Sequence, residues 1–320
     1  MLYRNGQNLS DELSTFLTGS ENLKIYAPYI KYDILKHLLT NVKNCHSVCV
    51  RWQPNDLISG ASDLEIYQIC KDKNIPLFMN NRLHLKVYLR NYSEVFLTSA
   101  NISSRALNIP ENQWFNYEVG NIVTGISLAD KAYFSFIDSQ SVLITDDLYD
   151  SIKLQLMDLQ ESNRDEEFVI SELNNAGFLI SALPLTESPE LLFQIYSAEM
   201  DFDVSMLNLA AHDIGLYNIR TGLNELDFFR CLKTNFFKHP FIKLLISNII
   251  KKDEMFFGEV KEFIHQNCAD VPLPRKWEIT DNIKILYSWL VNLSEGSIIV
   301  DVPYNYSQRI RVIKNLISEC

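Results

Sequence analysis

Three short stretches of the sequence decide the fold: RLHLKVYL at residues 82–89, EVFLTSANISS at 94–104 and WFNYEVGNIV at 114–123. Each contains an apolar run rich in β-forming side chains, which predicts three strands. In the first stretch His84 and Lys86 stand two residues apart. Side chains with this spacing leave the same face of a strand, so we expect these two to lie side by side.

The other two stretches carry polar groups that complement this pair. The second contains Thr98-Ser99-Ala100-Asn101, which places hydroxyl and amide groups at a strand end, where they suit a phosphate oxygen. The third carries Glu118 inside an apolar strand, where an unpaired carboxylate is costly to bury. We expect a partner for Glu118. A histidine is a natural one, and a simple salt bridge with Arg105 is the alternative.

The surrounding segments alternate between strand and helix patterns. Further strands are predicted at 23–30, 46–52 and 75–80, and helices at 32–42, from the capping-box pair Ser62 and Glu65 to Asn74, and at 127–136. This alternation predicts an α/β N-terminal domain with a mixed sheet flanked by helices.

The C-terminal half has a different pattern. Helices are predicted at 228–252, 254–267 and 280–293, followed by two strands at 297–302 and 308–313. A mainly α domain that closes with a two-stranded ribbon resembles a winged-helix module. Charge rises and apolar density falls near residues 155–168, so we place the domains at 1–160 and 161–320.

Composition excludes several classes of protein. With 47% hydrophobic and 22% charged residues, the 320-residue chain is typical of globular proteins, and no apolar run approaches the length of a membrane helix. The N-terminal segment has no signal pattern, so we expect a cytoplasmic protein that does not contact membranes. The net charge of −11 argues against a surface that binds nucleic acid everywhere, although a local basic groove is compatible with it.

The six cysteines are scattered, which predicts reduced thiols rather than disulfides. A zinc site formed by Cys45, His46 and Cys49 is disfavoured, because adjacent residues on a strand point to opposite faces.

Together, HLKVYL, LTSANISSRAL and NYEVG resemble the phospholipase D superfamily, whose HxK signature is followed by a G/S-x-N element and a later acidic residue. In that family the histidine attacks phosphorus to give a phosphohistidine. The lysine and asparagine hold the phosphate oxygens, and the acidic residue orients the histidine. The resemblance covers roughly residues 20–125. It assigns these roles to His84, Lys86, Asn101 and Glu118, with Ser99 as a further phosphate contact.

One position departs from the family pattern, because Asn91 replaces the aspartate usually found five residues after the lysine. The same replacement occurs in a branch of metal-independent restriction endonucleases and related bacterial nucleases, which RWQPNDLISGASDLEIY at 51–67 also resembles. The resemblance therefore implies an endonuclease, with DNA favoured over RNA as its substrate. It also implies a role in restriction or antiviral defence, beside a helicase, methyltransferase or other defence partner.

The chemistry agrees with this resemblance. A neutral imidazole avoids the repulsion that anionic nucleophiles meet at a phosphodiester, and Lys86 and Asn101 can stabilise the charge on the non-bridging oxygens. No metal or other cofactor is then required. The leaving alkoxide needs a general acid, and a second histidine suits that task near neutral pH.

The second histidine must come from elsewhere. The other histidines, at 37, 46, 212, 239 and 265, have no lysine two residues later. Single-motif members of the family pair two copies of one motif, so the resemblance implies a homodimer with one shared active site.

Other interpretations stay open. Arg51 and Arg105 can bind phosphate or belong to ordinary surface. The chain could instead be a phospholipase or phosphatidyl transferase, or a non-catalytic nucleic-acid-binding subunit of a larger complex. A basic cluster could face DNA, although solvated surface is the simpler explanation: Lys251, Lys252, Arg275, Lys276, Arg309, Arg311 and Lys314.

Overall fold

The computed structural model describes residues 1–162, 178–198, 201–270, 274, 278–304 and 307–313. These residues form two compact units. The first holds residues 1–126 and 140–162, and the second holds 127–139 with the described residues from 178 onward. The helix predicted at 127–136 falls in the predicted N-terminal domain. In the structure this segment packs with the second unit. The predicted boundary at 155–168 lies partly outside the described residues.

The elements alternate in the first half and are mainly helical in the second. The strands are β1 (Tyr3–Arg4), β2 (Leu23–Tyr26), β3 (Cys45–Val50), β4 (Leu77–Met79), β5 (Val87–Arg90), β6 (Glu94–Thr98), β7 (Val119–Thr124), β8 (Val142–Leu143), β9 (Glu254–Phe256), β10 (Ile298–Tyr304) and β11 (Ser307–Val312). The helices are α1 (Leu9–Leu17), α2 (Tyr32–Leu38), α3 (Pro54–Ile58), α4 (Ile66–Asp72), α5 (Ser104–Leu107), α6 (Leu128–Ser139), α7 (Asp146–Ser162), α8 (Pro189–Ser197), α9 (Val204–Leu216), α10 (Glu225–Lys238), α11 (Pro240–Lys252), α12 (Phe257–Asn267) and α13 (Glu278–Leu293).

Within its described residues, the first unit contains one eight-stranded sheet in the order β1-β7-β6-β5-β2-β3-β4-β8. The pairs β2–β3 and β3–β4 are parallel, and the other neighbouring pairs are antiparallel. One apolar core joins this sheet to α1, α2, α4 and α7, and Leu13, Ile25, Val48 and Phe96 are buried in it. The predicted mixed sheet flanked by helices is confirmed.

A hairpin fixes the register of the strands nearest the candidate site. Residues Asn91 to Ser93 connect β5 to β6, and Arg90 pairs with Glu94 across the hairpin. Asn91 has a φ of +54°, a left-handed conformation that asparagine tolerates better than most residues. It lies at the end of β5 farther from His84, where its conformation serves the turn.

Two local predictions were wrong. Ser62 does not cap α4, because its buried hydroxyl is engaged with the backbone of Ile30 through hydrogen bonds of 3.2 and 3.3 Å. The segment 254–267 is not one helix, because its first three residues form β9 and pair with β11.

The second unit closes as a winged helix. In chain order α11, β9, α12 and α13 precede the ribbon of β10 and β11, and the strands form an antiparallel sheet in the order β10-β11-β9. Its core buries Phe228, Phe236 and Trp289, so aromatic side chains of the 228–241 segment serve packing. The segment is two helices, because Pro240 begins α11 directly after the end of α10. Among the described helices, none combines the length and apolar character needed to cross a membrane.

Close packing of α9 against α6 requires a glycine. A Cβ added at Gly215 would lie 2.5 Å from the Ala132 carbonyl oxygen and 2.7 Å from the Phe136 nitrogen. Both are backbone atoms, so the helices would have to move apart.

We therefore expect Gly215→Ala to lower the free energy of unfolding by about 1–3 kcal/mol, the usual range for overpacking. The matched control is Gly258→Ala in α12, where an added Cβ meets no atom within 4 Å. That control should be neutral or slightly stabilising, because alanine favours helix. Urea denaturation of both variants measures the difference, and equal stabilities would contradict the close helix contact.

Candidate active site

The ends of three adjacent strands bring the predicted residues together. β5 begins just after Lys86, β6 ends just before Ser99, and β7 begins just after Glu118. Because β5, β6 and β7 are antiparallel neighbours, these three ends lie at the same edge of the sheet. Residues far apart in the sequence therefore meet there.

The HxK segment precedes its strand rather than lying within it. The prediction of a strand over 82–89 was wrong at its start, since β5 begins at Val87. Pairing still extends one residue back, because the amide of Thr98 donates to the Lys86 carbonyl at 3.1 Å. Leu83 is buried and His84 is exposed, which agrees with the predicted alternation of side chains.

Glu118 is held by a serine, not by the histidine of its own chain. The Ser99 hydroxyl donates to the Glu118 carboxylate and accepts from the amide of Val119 at 3.1 Å. A hydroxyl has one proton to donate, so Ser99 has none left for a phosphate oxygen in this arrangement. Its predicted role as a phosphate contact is replaced here by positioning of Glu118.

The imidazole of His84 is unengaged. The backbone carbonyl of His84 accepts a hydrogen bond from Lys86 Nζ at 3.2 Å. Neither ring nitrogen has a hydrogen-bond partner among the described residues. The ring is exposed to solvent beside the lysine. One nitrogen is therefore available for attack on a substrate and the other for an orienting partner.

The side chain of Lys86 is half-buried. Burial lowers the pKa of Lys86 below its ordinary value, the nearby Glu118 carboxylate opposes this effect, and the nearby Arg51 guanidinium adds to the lowering. The ammonium is thus partly desolvated, which favours binding of an anionic group beside it.

Asn101 follows the end of β6 and precedes α5. Its side chain is half-buried, and its Oδ1 atom is fully buried without a hydrogen-bond partner in the described part of the chain. This oxygen is an unsatisfied acceptor, so only the Nδ2 group of Asn101 could donate to a phosphate oxygen.

Arg51 lies near Lys86 but is already paired. It donates to both oxygens of buried Asp56, at 2.8 and 2.6 Å, and to the Tyr29 hydroxyl at 2.5 Å. The hydrogen bond with Asp56 raises the pKa of Arg51. Its Nη1 atom has no hydrogen-bond partner among the described residues, so this amino group can still donate to a further acceptor.

Arg105 does not pair with Glu118. The guanidinium is exposed and forms no ion pair within the described residues, so the predicted alternative of a Glu118–Arg105 salt bridge was wrong. Its carbonyl anchors the loop before β7, because it accepts from the amide of Asn116 at 3.0 Å and from Asn5 Nδ2 at 3.0 Å.

The sequence prediction missed three residues near the site. Asp56 and Tyr29 fix Arg51, and exposed Arg82 stands two residues before His84 without an ion pair in the described part of the chain. The spacing R-x-H-x-K could have indicated Arg82. No local pattern could have indicated that Asp56 accepts from Arg51, since that contact depends on how α3 follows β3.

Two arginines of the basic cluster considered in the C-terminal half are neutralised by the same carboxylate. Arg309 and Arg311 both donate to Asp301, and the hydrogen bond from Arg309 lowers the pKa of Asp301 to about 2. Arg275, Lys276 and Lys314 lie outside the described residues. No group of three or more His, Cys, Asp or Glu in the described ranges is placed to hold a metal ion.

No protein-family model matches the chain, and no curated protein matches its sequence. Solved structures do match. NucT from Helicobacter pylori is 20% identical over 45% of this chain and 98% of that one, with a TM-score of 0.34. Nuc from Salmonella typhimurium, a phospholipase D family member, is 14% identical over 46% of this chain and 99% of that one, with a TM-score of 0.34.

A third match is phosphatidylserine synthase from Haemophilus influenzae, which is 16% identical over 52% of this chain and 45% of that one, with a TM-score of 0.36. One of these structures, Nuc, is described as a phospholipase D family member, the family that the motif from His84 to Glu118 resembles. The roles of His84, Lys86, Asn101 and Glu118 stay predictions.

The lowered pKa of Lys86 has a consequence for stability. A lysine whose pKa in the folded state lies below the ordinary 10.5 destabilises the fold while it is charged, and the effect disappears as the pH rises through 10.5. We therefore expect Lys86→Met to raise the melting temperature at pH 7, and the gain to shrink toward pH 10.5.

Thermal unfolding at several pH values measures this effect, with Lys73→Met as the control at an exposed lysine. A melting temperature of Lys86→Met at or below that of Lys73→Met at pH 7 would contradict the desolvation of Lys86.

Proposed function

We propose that this chain is a metal-independent nuclease that hydrolyses phosphodiester bonds of DNA through a covalent phosphohistidine. The observation that carries the proposal is the unengaged imidazole of His84 beside the half-buried charge of Lys86, with Asn101 at the adjacent strand end. A nucleophile, a cation and an amide are the groups that an in-line displacement at phosphorus needs.

The reaction has two balanced steps. In the first, a ring nitrogen of His84 uses its lone pair to form an N–P bond, the bond from phosphorus to the leaving oxygen breaks, and a general acid protonates that oxygen. In the second, water attacks phosphorus, loses a proton to the same group acting as base, and the N–P bond breaks. Lys86 and Asn101 stabilise the non-bridging oxygens in both transition states.

The general acid is His84 of a second copy. Within one chain Glu118 is bonded to Ser99 and makes no hydrogen bond to His84, so the carboxylate is held ready for an imidazole from outside. In a symmetric dimer each Glu118 orients the histidine of the other copy, and the two motifs form one site. This arrangement supplies both the nucleophile and the acid from one motif.

Nucleic acid is the substrate that the charges around the site favour. Exposed Arg82 and Arg105 form no ion pairs among the described residues, and both are close in sequence to groups of the site. Such cations bind a chain of phosphates better than a single headgroup. We further propose a role inside the bacterial cell, in restriction or antiviral defence, in which a helicase, methyltransferase or other partner directs the cut.

The first test is cleavage of a labelled DNA in the presence of EDTA. We expect EDTA-resistant cleavage by the wild-type chain, a loss of at least about 100-fold in His84→Ala, and a phosphoryl group on His84 after rapid quenching. The control is His37→Ala, which removes an exposed histidine on α2 and should cleave normally. Undiminished EDTA-resistant cleavage by His84→Ala would overturn the mechanism.

A second test addresses the shared site. Mixed dimers of wild-type and His84→Ala chains, purified through two different tags, retain one nucleophile but lack the acid. With methyl p-nitrophenyl phosphate, whose leaving group needs no proton, the mixed dimers should release one equivalent of nitrophenolate. They should cleave DNA at least about 100-fold more slowly than wild type. DNA cleavage by the mixed dimer at half the wild-type rate would show two independent sites instead.

A further inference from the structure

The loop between α5 and β7 is tightly fixed although it contains no helix or strand. The Asn108 side chain accepts from the amide of Asn112 at 2.8 Å, and the Asn112 side chain accepts from the amide of Trp114 at 2.9 Å. Asn5 Nδ2 donates to the Asn116 carbonyl at 2.9 Å, and the Asn5 amide donates to the Glu118 carbonyl at 3.0 Å. The backbone of this loop is thus held at both ends and in the middle.

One aromatic side chain of the loop anchors it. The Phe115 ring packs against Gly6, where an added Cβ would meet ring atoms at 2.1 Å. Gly6 also has a φ of +73°, so both its missing side chain and its conformation suit this contact.

Two other aromatic side chains of the same loop face solvent. Trp114 is 75% exposed and Tyr117 is 98% exposed, whereas Trp52 and Trp289 are fully buried. A fixed backbone that holds large aromatic rings in water has no benefit for folding, because burial of such rings is a main source of stability. Their exposure therefore points to a ligand.

On the basis of the nuclease function proposed above, we propose that Trp114 and Tyr117 form a platform on which bases of single-stranded nucleic acid stack, so that an unpaired strand is the preferred substrate. Stacking on aromatic side chains beside a cationic track is the usual way in which proteins bind single strands without reading their sequence. In a duplex the faces of the bases are covered by neighbouring bases and cannot reach such a platform.

The position of the platform fits this role. Tyr117 is adjacent in the chain to Glu118, and Trp114 is four residues away, at most roughly 14 Å along an extended chain. On the other side, the Arg105 carbonyl accepts from the amide of Asn116, so a cation without an ion pair lies next to the loop. Bases beside the cleaved phosphate are therefore within reach of both rings, and their phosphates within reach of Arg105.

The test measures binding in the His84→Ala background, so that no oligonucleotide is cut. The probes are a fluorescent 12-nucleotide single strand and the duplex of the same sequence. We expect Trp114→Ala to weaken single-strand binding by about 5- to 150-fold, the range for loss of one stacked base, and to leave duplex binding unchanged. Tyr117→Ala should act in the same direction, and Trp114→Phe should retain most of the affinity.

The matched control is Tyr133→Ala, which removes a half-exposed aromatic ring from the second unit and should bind like the parent. Equal single-strand affinity in Trp114→Ala and in this control would overturn the platform. Equal losses for single strand and duplex would also overturn it, since they would indicate a general contact with phosphates.

Two further measurements distinguish the platform from a contact between copies and from the nuclease proposal. With His84 intact, Trp114→Ala should hydrolyse methyl p-nitrophenyl phosphate, which has no base, at the wild-type rate. Light scattering also gives the molecular mass of the variant. If Trp114→Ala lowers both that rate and the mass, the loop is a contact between copies and the platform is wrong. Another outcome is that the wild-type chain hydrolyses no phosphodiester while Trp114→Ala still weakens single-strand binding. In that case the nuclease proposal fails and the platform stands.

Discussion

Antiparallel pairing of β5 with β6 and of β6 with β7 brings Lys86, Ser99 and Glu118 together. The hydrogen bond from Ser99 to Glu118 exists only in the observed register, in which Thr98 pairs with Gly120. A slip of one residue would turn alternate side chains to the other face of the sheet. Gly120 protects this register, because a side chain there would collide with Leu9 and Phe96.

Some side chains of the candidate site have hydrogen-bond partners and others do not. The Ser99 proton is committed to Glu118, and Arg51 is committed to Asp56 and Tyr29, whereas His84 and the Asn101 oxygen have no partners among the described residues. Lys86 is charged where burial disfavours charge. Ser99 and Arg51 are thus held by hydrogen bonds, whereas the imidazole predicted to attack the phosphate is not, and this difference suits fixed supporting groups around a reactive side chain.

The sequence predicted those features that depend on local pattern. β6 lies within the stretch predicted to hold it, and α13 and the ribbon of β10 and β11 lie close to their predicted bounds, because apolar periodicity and turn residues define them. Partners of polar side chains were harder to predict, since Ser62, Ser99 and Arg51 each bond to groups set by tertiary packing. The packing of α6 with the second unit rests on Gly215, which no pattern within α6 reveals.

The exposed aromatic residues show a further limit of sequence patterns. In the letters WFNY, the middle aromatic is an anchor and the outer two face solvent, although all three have similar hydrophobicity. Only the asparagine hydrogen bonds of the loop and the contact of Phe115 with Gly6 distinguish them.

The sheet of the first unit also limits how two copies can meet. Its outermost strands, β1 and β8, are two residues long, so neither edge offers a row of open amides and carbonyls. Continuous sheets that run across two molecules, and the fibrils that grow in the same way, need such an edge. Copies of the first unit are therefore not favoured to associate by extending this sheet, whose edges give a partner strand only two residues to pair with.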